Sequence, residues 1–363
     1  MSSPEEFASA YDFELPPELI AQHPAAQRDQ SRLMVLGANG IGHHTFRDLP
    51  EFIRPGDLLV LNRTRVIAAR LWGTREGTGG AVEVLLLHPA HSLRYDAGAT
   101  RWTALLRPAR RLRSGSVIRF DERSRARVVG EGDDGVRDVE FDLDEPFEHF
   151  LERRGRLPLP PYIQNDSDEA QSRYQTVFAR DPGSVAAPTA SLHFTNELLA
   201  RIEQAGATIA YLTLDVGLGT FRPMKTTRLR DHVMHAERYL LEPETLEAIA
   251  RARERGGRVI AAGTTVVRAL EGNVAEHGRL VAGEGATSLF ITPGFRFAVV
   301  DAMITNFHLP QSTLLVLVSA FAGRERMLAA YDEAVARRYR FFSFGDAMLI
   351  EAPEGCAPRR PAH

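Results

Sequence analysis

The chain has 363 residues, of which 44% are hydrophobic and 25% charged, the proportions of an ordinary folded protein, so disorder along the whole length is excluded. A chain of this size corresponds to about two domains at ~100–200 residues each and can bury a core without disulfide or metal staples. Its 44 basic and 47 acidic side chains give a formal net charge of −3, which argues against coating a nucleic acid by bulk charge and leaves room for a local basic patch.

The single cysteine, Cys356, excludes an intrachain disulfide and a cysteine-based metal cluster, and a reducing compartment is the natural reading. Residues 1–10 carry Glu5 and Glu6 and no apolar run, unlike a secretory signal. The longest apolar stretch, 314–322, is about half of the ~20 residues that span a bilayer. A cytoplasmic location is therefore expected, with no membrane and no protein partner evident. Lys225 is the one lysine, so arginine supplies nearly all the positive charge. Coding bias produces this on its own, and it also suits bidentate binding of anions.

In chain order, residues 33–36 and 58–61 read as buried strands, the second entered through the turn Arg54-Pro55-Gly56-Asp57. From about Arg70 to Leu143 short strand-like runs recur at 81–87, 102–106, 116–120, 126–129 and 136–143, with turn signals at Gly79-Gly80, Ser114-Gly115 and Gly132-Asp133-Asp134-Gly135. Strands this closely spaced predict a small closed β structure, because closure removes unpaired edges. Beyond the proline-rich link 157–162 the texture alternates. Helix 196–204, capped by Thr195, precedes strand 209–214. Helix 243–255 starts at a proline and ends at Gly256-Gly257. Strand 259–262, helix 264–276, strand 288–291 and helices 312–321 and 325–338 complete the series. The expected fold is α/β: a layered α/β domain interrupted by an inserted small β-barrel, with 1–68 and 152–363 forming the α/β part and 69–151 the barrel.

The segment 258–268 has the form strand, Gly263, two hydroxyls (Thr264 and Thr265), helix, with Arg268 one turn in. A helix that starts at the carboxyl end of a strand presents free amides to an anion, although either threonine alone is equally a helix cap. No P-loop and no Gly-x-Gly-x-x-Gly follows a candidate strand; Gly217-Leu218-Gly219 is only a fragment of one. His193, His232, His235 and His308 are the histidines of interest. His232-x-x-His235 would place two imidazoles on one helix face, but without a His-Glu-x-x-His run or further ligands no metal is expected. Basic side chains concentrate at Arg107, Arg110, Arg111 and Arg113 and again at Arg153, Arg154 and Arg156. Each run is by default a solvated face; together they would make a phosphate-binding stripe suited to a structured RNA.

Taken in order, several motifs resemble the S-adenosylmethionine:tRNA ribosyltransferase-isomerase family of queuosine biosynthesis. They are Tyr11-Asp12-Phe13-Glu14-Leu15-Pro16, Pro55-Gly56-Asp57-Leu58, Thr64-Arg65-Val66-Ile67, Tyr174-Gln175-Thr176-Val177-Phe178, Ala187-Pro188-Thr189-Ala190, Leu192-His193-Phe194-Thr195, Val216-Gly217-Leu218-Gly219-Thr220-Phe221, Thr305-Asn306-Phe307-His308-Leu309-Pro310 and Tyr339-Arg340-Phe341-Phe342-Ser343. The resemblance runs over nearly the whole chain. It implies an α/β domain interrupted by a β-barrel. It also implies transfer of a ribosyl group from S-adenosylmethionine, a co-substrate, to the aminomethyl arm of 7-aminomethyl-7-deazaguanine in tRNA. The product would be epoxyqueuosine, with release of adenine and methionine and with no metal or prosthetic group.

That chemistry needs a base for the acidified ribose 5′ carbon, a proton or hydrogen bonds for the departing adenine, and a neutral acceptor amine. His193 and His308 have the pKa range for proton transfer and, with Arg65, form the expected catalytic set. Arg65, Arg268, Thr264 and Thr265 are expected to hold the methionine carboxylate or a tRNA phosphate, Asn306 to bind the donor, and Asp301 or Glu237 to hold the ribose diol or the substrate ammonium.

Arg63, Ala68, Ser191, Asp215, Val266 and Ala269 depart from the family's pattern, which has Asp, Pro, Gly, His, Ser and Thr at these places. Arg63 and Asp215 reverse or add charge, and are expected to compensate each other as an ion pair within about 4 Å. Two other readings stand beside the principal one: a relative that uses the same donor for a small-molecule acceptor, and a non-catalytic RNA- or ligand-binding relative.

Overall fold

Residues 4–90, 94–217, 224 and 226–352 are described by the computed structural model. Leu218, Gly219, Thr220 and Phe221 of the second glycine motif, Lys225 and Cys356 lie outside them. A hairpin opens the sheet, β1 (Arg32–Gly37) and β2 (Gly40–Thr45), followed by β3 (Leu58–Asn62) and the short β4 (Thr64–Val66). Six strands come next: β5 (Arg70–Arg75), β6 (Ala81–Pro89), β7 (Arg101–Arg107), β8 (Val117–Arg119), β9 (Arg125–Glu131) and β10 (Val136–Asp142). They close on themselves in the order β10-β7-β6-β5-β8-β9. The barrel expected from the turn spacing is therefore present. Its interior is filled by inward residues such as Leu71, Val84, Trp102, Ala126 and Val139, and helix α1 (Phe147–Arg154) contributes Phe147, Phe150 and Leu151 to the same core.

After helix α2 (Asp168–Arg173), β11 (Asp181–Ser184) pairs in parallel with β4. The remaining elements are α3 (Asn196–Gln204), β12 (Thr208–Leu214), β13 (Glu237–Leu241), α4 (Pro243–Glu254), β14 (Val259–Ala262), α5 (Thr264–His277), β15 (Gly283–Thr287), β16 (Ala302–Asn306), α6 (Thr313–Ala322), α7 (Arg324–Ala336) and β17 (Ala347–Glu351). They join the first strands in a nine-stranded sheet of order β15-β13-β12-β3-β14-β16-β17-β1-β2. Its centre, β12-β3-β14-β16, is parallel, and the strands flanking it are antiparallel to their inner neighbours.

These central strands are continuous apolar runs because both faces are covered. Leu58 and Val60 pack with α4, α5, α6 and α7 on one side. Leu59 and Leu61 face the other way, onto Leu198 and Ile202 of α3. The Thr195 side chain accepts from Leu198 N at 3.1 Å, which starts α3 where the sequence places it.

Two local expectations are corrected. Residues 288–291 are not a strand; the strand lies earlier, at β15, whose composition is poor for a strand. It forms because the ring of Tyr239 on β13 lies where a side chain on Gly285 would stand. Likewise His232 and His235 are not on a helix: a three-residue turn, Leu229–Asp231, ends at an extended His232.

At the amino ends of the parallel strands, buried Asp57 accepts from Arg258 N at 2.9 Å and from Arg258 Nη2 at 2.7 Å, locking β3 to β14. Gly257 must be glycine here, since a side chain would run into the Gly56 carbonyl. Removing Asp57 leaves a buried guanidinium without its main counter-charge. Asp57→Ala should lower the unfolding free energy by about 3 kcal/mol or more, read from urea titration.

Candidate active site

The four parallel strands end at one level, and the residues that follow each of them build the site: Arg63 after β3, Asp215 to Gly217 after β12, Gly263 to Thr265 after β14, and Phe307 and His308 after β16. Open α/β sheets bind ligands outside the carboxyl ends of such strands. Two cavities occupy this end. A narrow crevice, with an enclosed part of about 50 Å³, is lined by Thr264, Thr265, Asn306, His308, Tyr162 and Ser343, among others. A chamber of about 410 Å³ lies between the barrel and the sheet domain. Val216 lines both.

Gly263 adopts φ +105°, a conformation open to glycine, and from it α5 begins with its first amides unpaired within the helix. Among the described residues the buried Thr265 hydroxyl has no hydrogen-bond partner, and neither has Asn306 Oδ1 on the same crevice. Buried polar atoms are nearly always satisfied, so two such atoms facing one crevice mark a place for a polar ligand. The aromatic wall is Tyr162 against Phe342, ring centroids 4.3 Å apart, with the Tyr162 hydroxyl 2.5 Å from Ser343 Oγ. Phe342 sits at φ +72°, in the left-handed region, pinned through its N–H to the Phe307 carbonyl and through its carbonyl to Asn306 Nδ2. A large residue held there reflects constraint at a working site.

The two histidines differ. His308 lines the crevice, with Nε2 2.8 Å from Thr305 Oγ1. His193 lies behind Asn306: Nδ1 is 2.7 Å from Ser31 Oγ and Nε2 is 3.2 Å from Asn306 Nδ2. Both of its ring nitrogens are engaged, so His193 positions Asn306. Burial drives the His308 imidazole down to about 3. Burial also drives His193 down to about 4, with Asp346 opposing and Arg340 and Arg28 adding to the fall.

The other expected residues are dispersed. Arg268 does not face the crevice; it forms a buried pair with Glu237 and donates to the carbonyls of Leu289 and Thr287. Glu237 lines the chamber and accepts from Gly217 N at 3.1 Å. Asp301 is at the opposite end of the sheet, where it precedes β16 and accepts from Val259 N at 2.8 Å, out of reach of a ligand in the crevice. Arg65 is exposed on β4 and lines neither cavity.

The expected pair between Arg63 and Asp215 does not form. Arg63 binds Asp181 at 2.8 Å and Glu242 at 2.6 Å. Asp215 binds Arg238 at 3.0 Å and the Thr64 hydroxyl at 2.9 Å. Each charge has its own partners from strands that sequence proximity does not reveal.

The arginines of the two basic runs differ in what they bind. Arg153 pairs with Asp121 and Glu145, Arg154 donates to the Phe120 carbonyl, and Arg156 pairs with Asp168. Arg107, exposed at the end of β7, is 3.9 Å from Glu83. Arg110, Arg111 and Arg113 are exposed on a loop at the barrel rim. That loop is fastened from beneath by Arg137, which donates to the carbonyls of Leu112 at 3.1 Å and Ala109 at 3.5 Å. Asp215 stands on a cavity wall, in the cleft where its flanking motif suggested it, whereas Arg63 lines neither cavity; the sequence reading missed Tyr162 and Ser343 as site residues. Among the described residues no group of three His, Cys, Asp or Glu side chains is placed to hold a metal, and no helix is long and apolar enough to cross a membrane.

A family model described as "Queuosine biosynthesis protein" matches residues 8–350. The S-adenosylmethionine:tRNA ribosyltransferase-isomerase of Symbiobacterium thermophilum is 54% identical over 345 residues, covering 94% of this chain and 99% of that protein. The protein of the same name from Natranaerobius thermophilus is 49% identical over 344 residues, covering 94% and 98%. The crystal structure of the S-adenosylmethionine tRNA ribosyltransferase from Thermotoga maritima is similar at a TM-score of 0.53 and 39% identity, covering 94% of this chain and all of that one.

The two imidazoles make stability pH-dependent in a defined direction. Unfolded, each takes up a proton near its ordinary value of 6.5; folded, His193 stays neutral to about 4 and His308 to about 3. Their contribution is whole above pH 6.5 and falls with pH below it, at about 1.4 kcal/mol per pH unit for each. Urea titrations across that acid range should show this slope, and His193→Gln should remove the share of one histidine.

Proposed function

The chain belongs to the queuosine biosynthesis protein family, and on that premise we propose that it transfers and isomerises the ribosyl group of S-adenosylmethionine onto the aminomethyl arm of 7-aminomethyl-7-deazaguanine in tRNA. Epoxyqueuosine is left on the tRNA, and adenine and methionine are released. The observation that carries this reading is the identity of 54% across 94% of the chain with a relative bearing that enzyme's name. S-adenosylmethionine is a co-substrate, and the place of work is the cytoplasm. The division into 1–68 with 152–363 and 69–151 follows the closed barrel, whose strands run from Arg70 to Asp142.

The crevice suits the donor. Its methionine carboxylate belongs at the start of α5, where the free amides and the positive end of the helix dipole meet the hydroxyls of Thr264 and Thr265. Asn306 Oδ1, otherwise unsatisfied, accepts from the donor's ammonium or an exocyclic amine. The Tyr162–Phe342 wall gives the adenine an apolar face. With Nε2 occupied by Thr305, Nδ1 is the His308 nitrogen left for a ligand. An imidazole that stays neutral to about 3 is too weak a base for the ribose proton and no standing imidazolium acid, so it works as a hydrogen-bonding group toward the donor. His193 acts through Asn306. Arg268 and Glu237 support the wall between the two cavities.

Neither alternative gains support. The charges at Arg63 and Asp215 that set this chain apart are absorbed by ion pairs of their own, and the relatives that cover nearly the whole chain are named as tRNA-modifying enzymes. The exposed Arg110, Arg111 and Arg113 on a fastened loop supply the local basic surface.

Incubation with S-adenosylmethionine and tRNA bearing 7-aminomethyl-7-deazaguanine should give epoxyqueuosine by mass spectrometry and equimolar adenine and methionine by chromatography; adenine release that is independent of tRNA, or none at all, would overturn the reading. Thr265→Val should raise KM for the donor about tenfold, the worth of one buried hydrogen bond, and His308→Ala should lower kcat by roughly 100-fold. Affinity for tRNA should fall steeply with salt, and replacing Arg110, Arg111 and Arg113 by alanine should reduce the log–log slope by about one for each phosphate that is no longer neutralised.

A further inference from the structure

The chamber between barrel and sheet domain is larger than the crevice beside it, and the donor-binding reading leaves it empty of purpose. Its volume of about 410 Å³ falls in the ~300–1,000 Å³ range of small-ligand sites. Leu87, Leu105 and Val136 of the barrel and Val185, which packs in the same core as Leu105, give the chamber an apolar wall. Another wall is polar. Asp215 stands there, and among the described residues each of its carboxylate oxygens accepts a single bond, Oδ1 from Thr64 and Oδ2 from Arg238. A carboxylate oxygen has two lone-pair sites, so one on each is left over. Gly183 keeps them clear: a methyl group there would stand 2.9 Å from Oδ2 and 3.0 Å from Oδ1.

Two features decide what fits. An apolar wall with a bidentate acceptor at one edge matches a flat heterocycle that carries two adjacent N–H donors, which is the Watson–Crick edge of a guanine-type base. The rim beside the chamber is cationic. Arg110, Arg111 and Arg113 lie on the loop whose Ala109 would be 3.2 Å, and Leu105 3.3 Å, from a side chain on Gly135, next to Val136 of the chamber wall. A base delivered on a polyanionic strand meets both features at once.

We infer that the chamber receives the acceptor nucleobase, unstacked from its strand, with Asp215 accepting from its N1–H and N2–H groups and the rim arginines holding the neighbouring phosphates. Enzymes that modify a base reach it by taking it out of the stack. The inference rests on the reading of the donor crevice given above. The shared wall at Val216 then brings the arm of the base to the donor's ribosyl group, because a ligand in either cavity touches the same side chain.

The test uses full-length protein and an anticodon stem-loop with guanine at the wobble position and 2-aminopurine beside it, whose fluorescence rises when the neighbouring wobble base leaves the stack. Wild-type protein should raise it. Val136→Trp, which fills the chamber from the barrel side, should abolish the rise and lower kcat/KM for tRNA by about 100-fold, with the calorimetric Kd for S-adenosylmethionine changed less than about twofold. Asp215→Asn, which turns one acceptor into a donor, should raise KM for tRNA by about tenfold with the same unchanged donor Kd. A Val136→Trp protein that retains the fluorescence rise and wild-type turnover would refute the inference. So would loss of donor binding with tRNA affinity kept, which would assign the chamber to the donor. Wild-type protein that makes no epoxyqueuosine would refute the activity instead, and the fluorescence measurement would still report whether the base leaves its stack.

Discussion

A charge pair that scarcely meets water holds the active end of this molecule together. Arg268 of α5 and Glu237 of β13 are both nearly fully buried and bind each other directly. The guanidinium also takes the carbonyls of Thr287 and Leu289, and the carboxylate takes Gly217 N. Four segments, α5, β13, the stretch 287–289 and the turn at Gly217, are thereby tied beside the chamber. Burying two ions costs several kcal/mol each, a cost offset only when the remaining hydrogen-bonding capacity is met, as it is here by backbone groups. What such a pair secures is register: α5 cannot rotate or slide without stranding a charge, so the amides at its start stay aimed at the crevice.

At the far end of the same strands Asp57 and Arg258 do the matching task. Of the parallel centre, β3 and β14 are locked at their amino ends by an ion pair, while at the opposite end of the sheet the second pair fixes α5 to the neighbouring β13. The charges that distinguish this chain fit the same logic. Arg63 joins β3 to Asp181 and Glu242, and Asp215 joins β12 to Arg238, which itself reaches Glu284 of β15 at 3.0 Å. They are fastenings between elements, and Asp215 alone also lies on a cavity wall.

Local physics made much of this legible in advance. The barrel could be read because its turns need glycine and its strands alternate, and α3 because Thr195 caps it; both signals lie within a few residues of their effect. The crevice was legible to the extent that Gly263, Thr264 and Thr265 announce a strand meeting a helix. Misplaced residues were those whose roles depend on partners far along the chain. Asp301 is polar and near a motif, yet it sits at the amino end of β16, a strand's length from the ligand end. His193 carries a catalytic-looking motif but spends both nitrogens on Ser31 and Asn306, 162 and 113 residues away. β15 escaped notice because its strand character comes from the ring of Tyr239 lying across Gly285, and nothing in its own residues favours extension.

The position of β17 has a consequence for how the chain is made. It lies between β1 and β16, parallel to the first and antiparallel to the second, so the opening hairpin has no contact with the parallel strands through the sheet until residues 347–351 are in place. The barrel strands, by contrast, are contiguous from Arg70 to Asp142 and pair with one another, apart from a bridge between Arg70 and Arg156. During synthesis the barrel can close on the emerging chain while the two flanking portions wait, and the last strand then zips the sheet shut. Translation that stops short of Ala347 therefore yields a formed barrel attached to an unjoined sheet, with apolar strand edges open to other chains, and not a shortened enzyme of reduced activity.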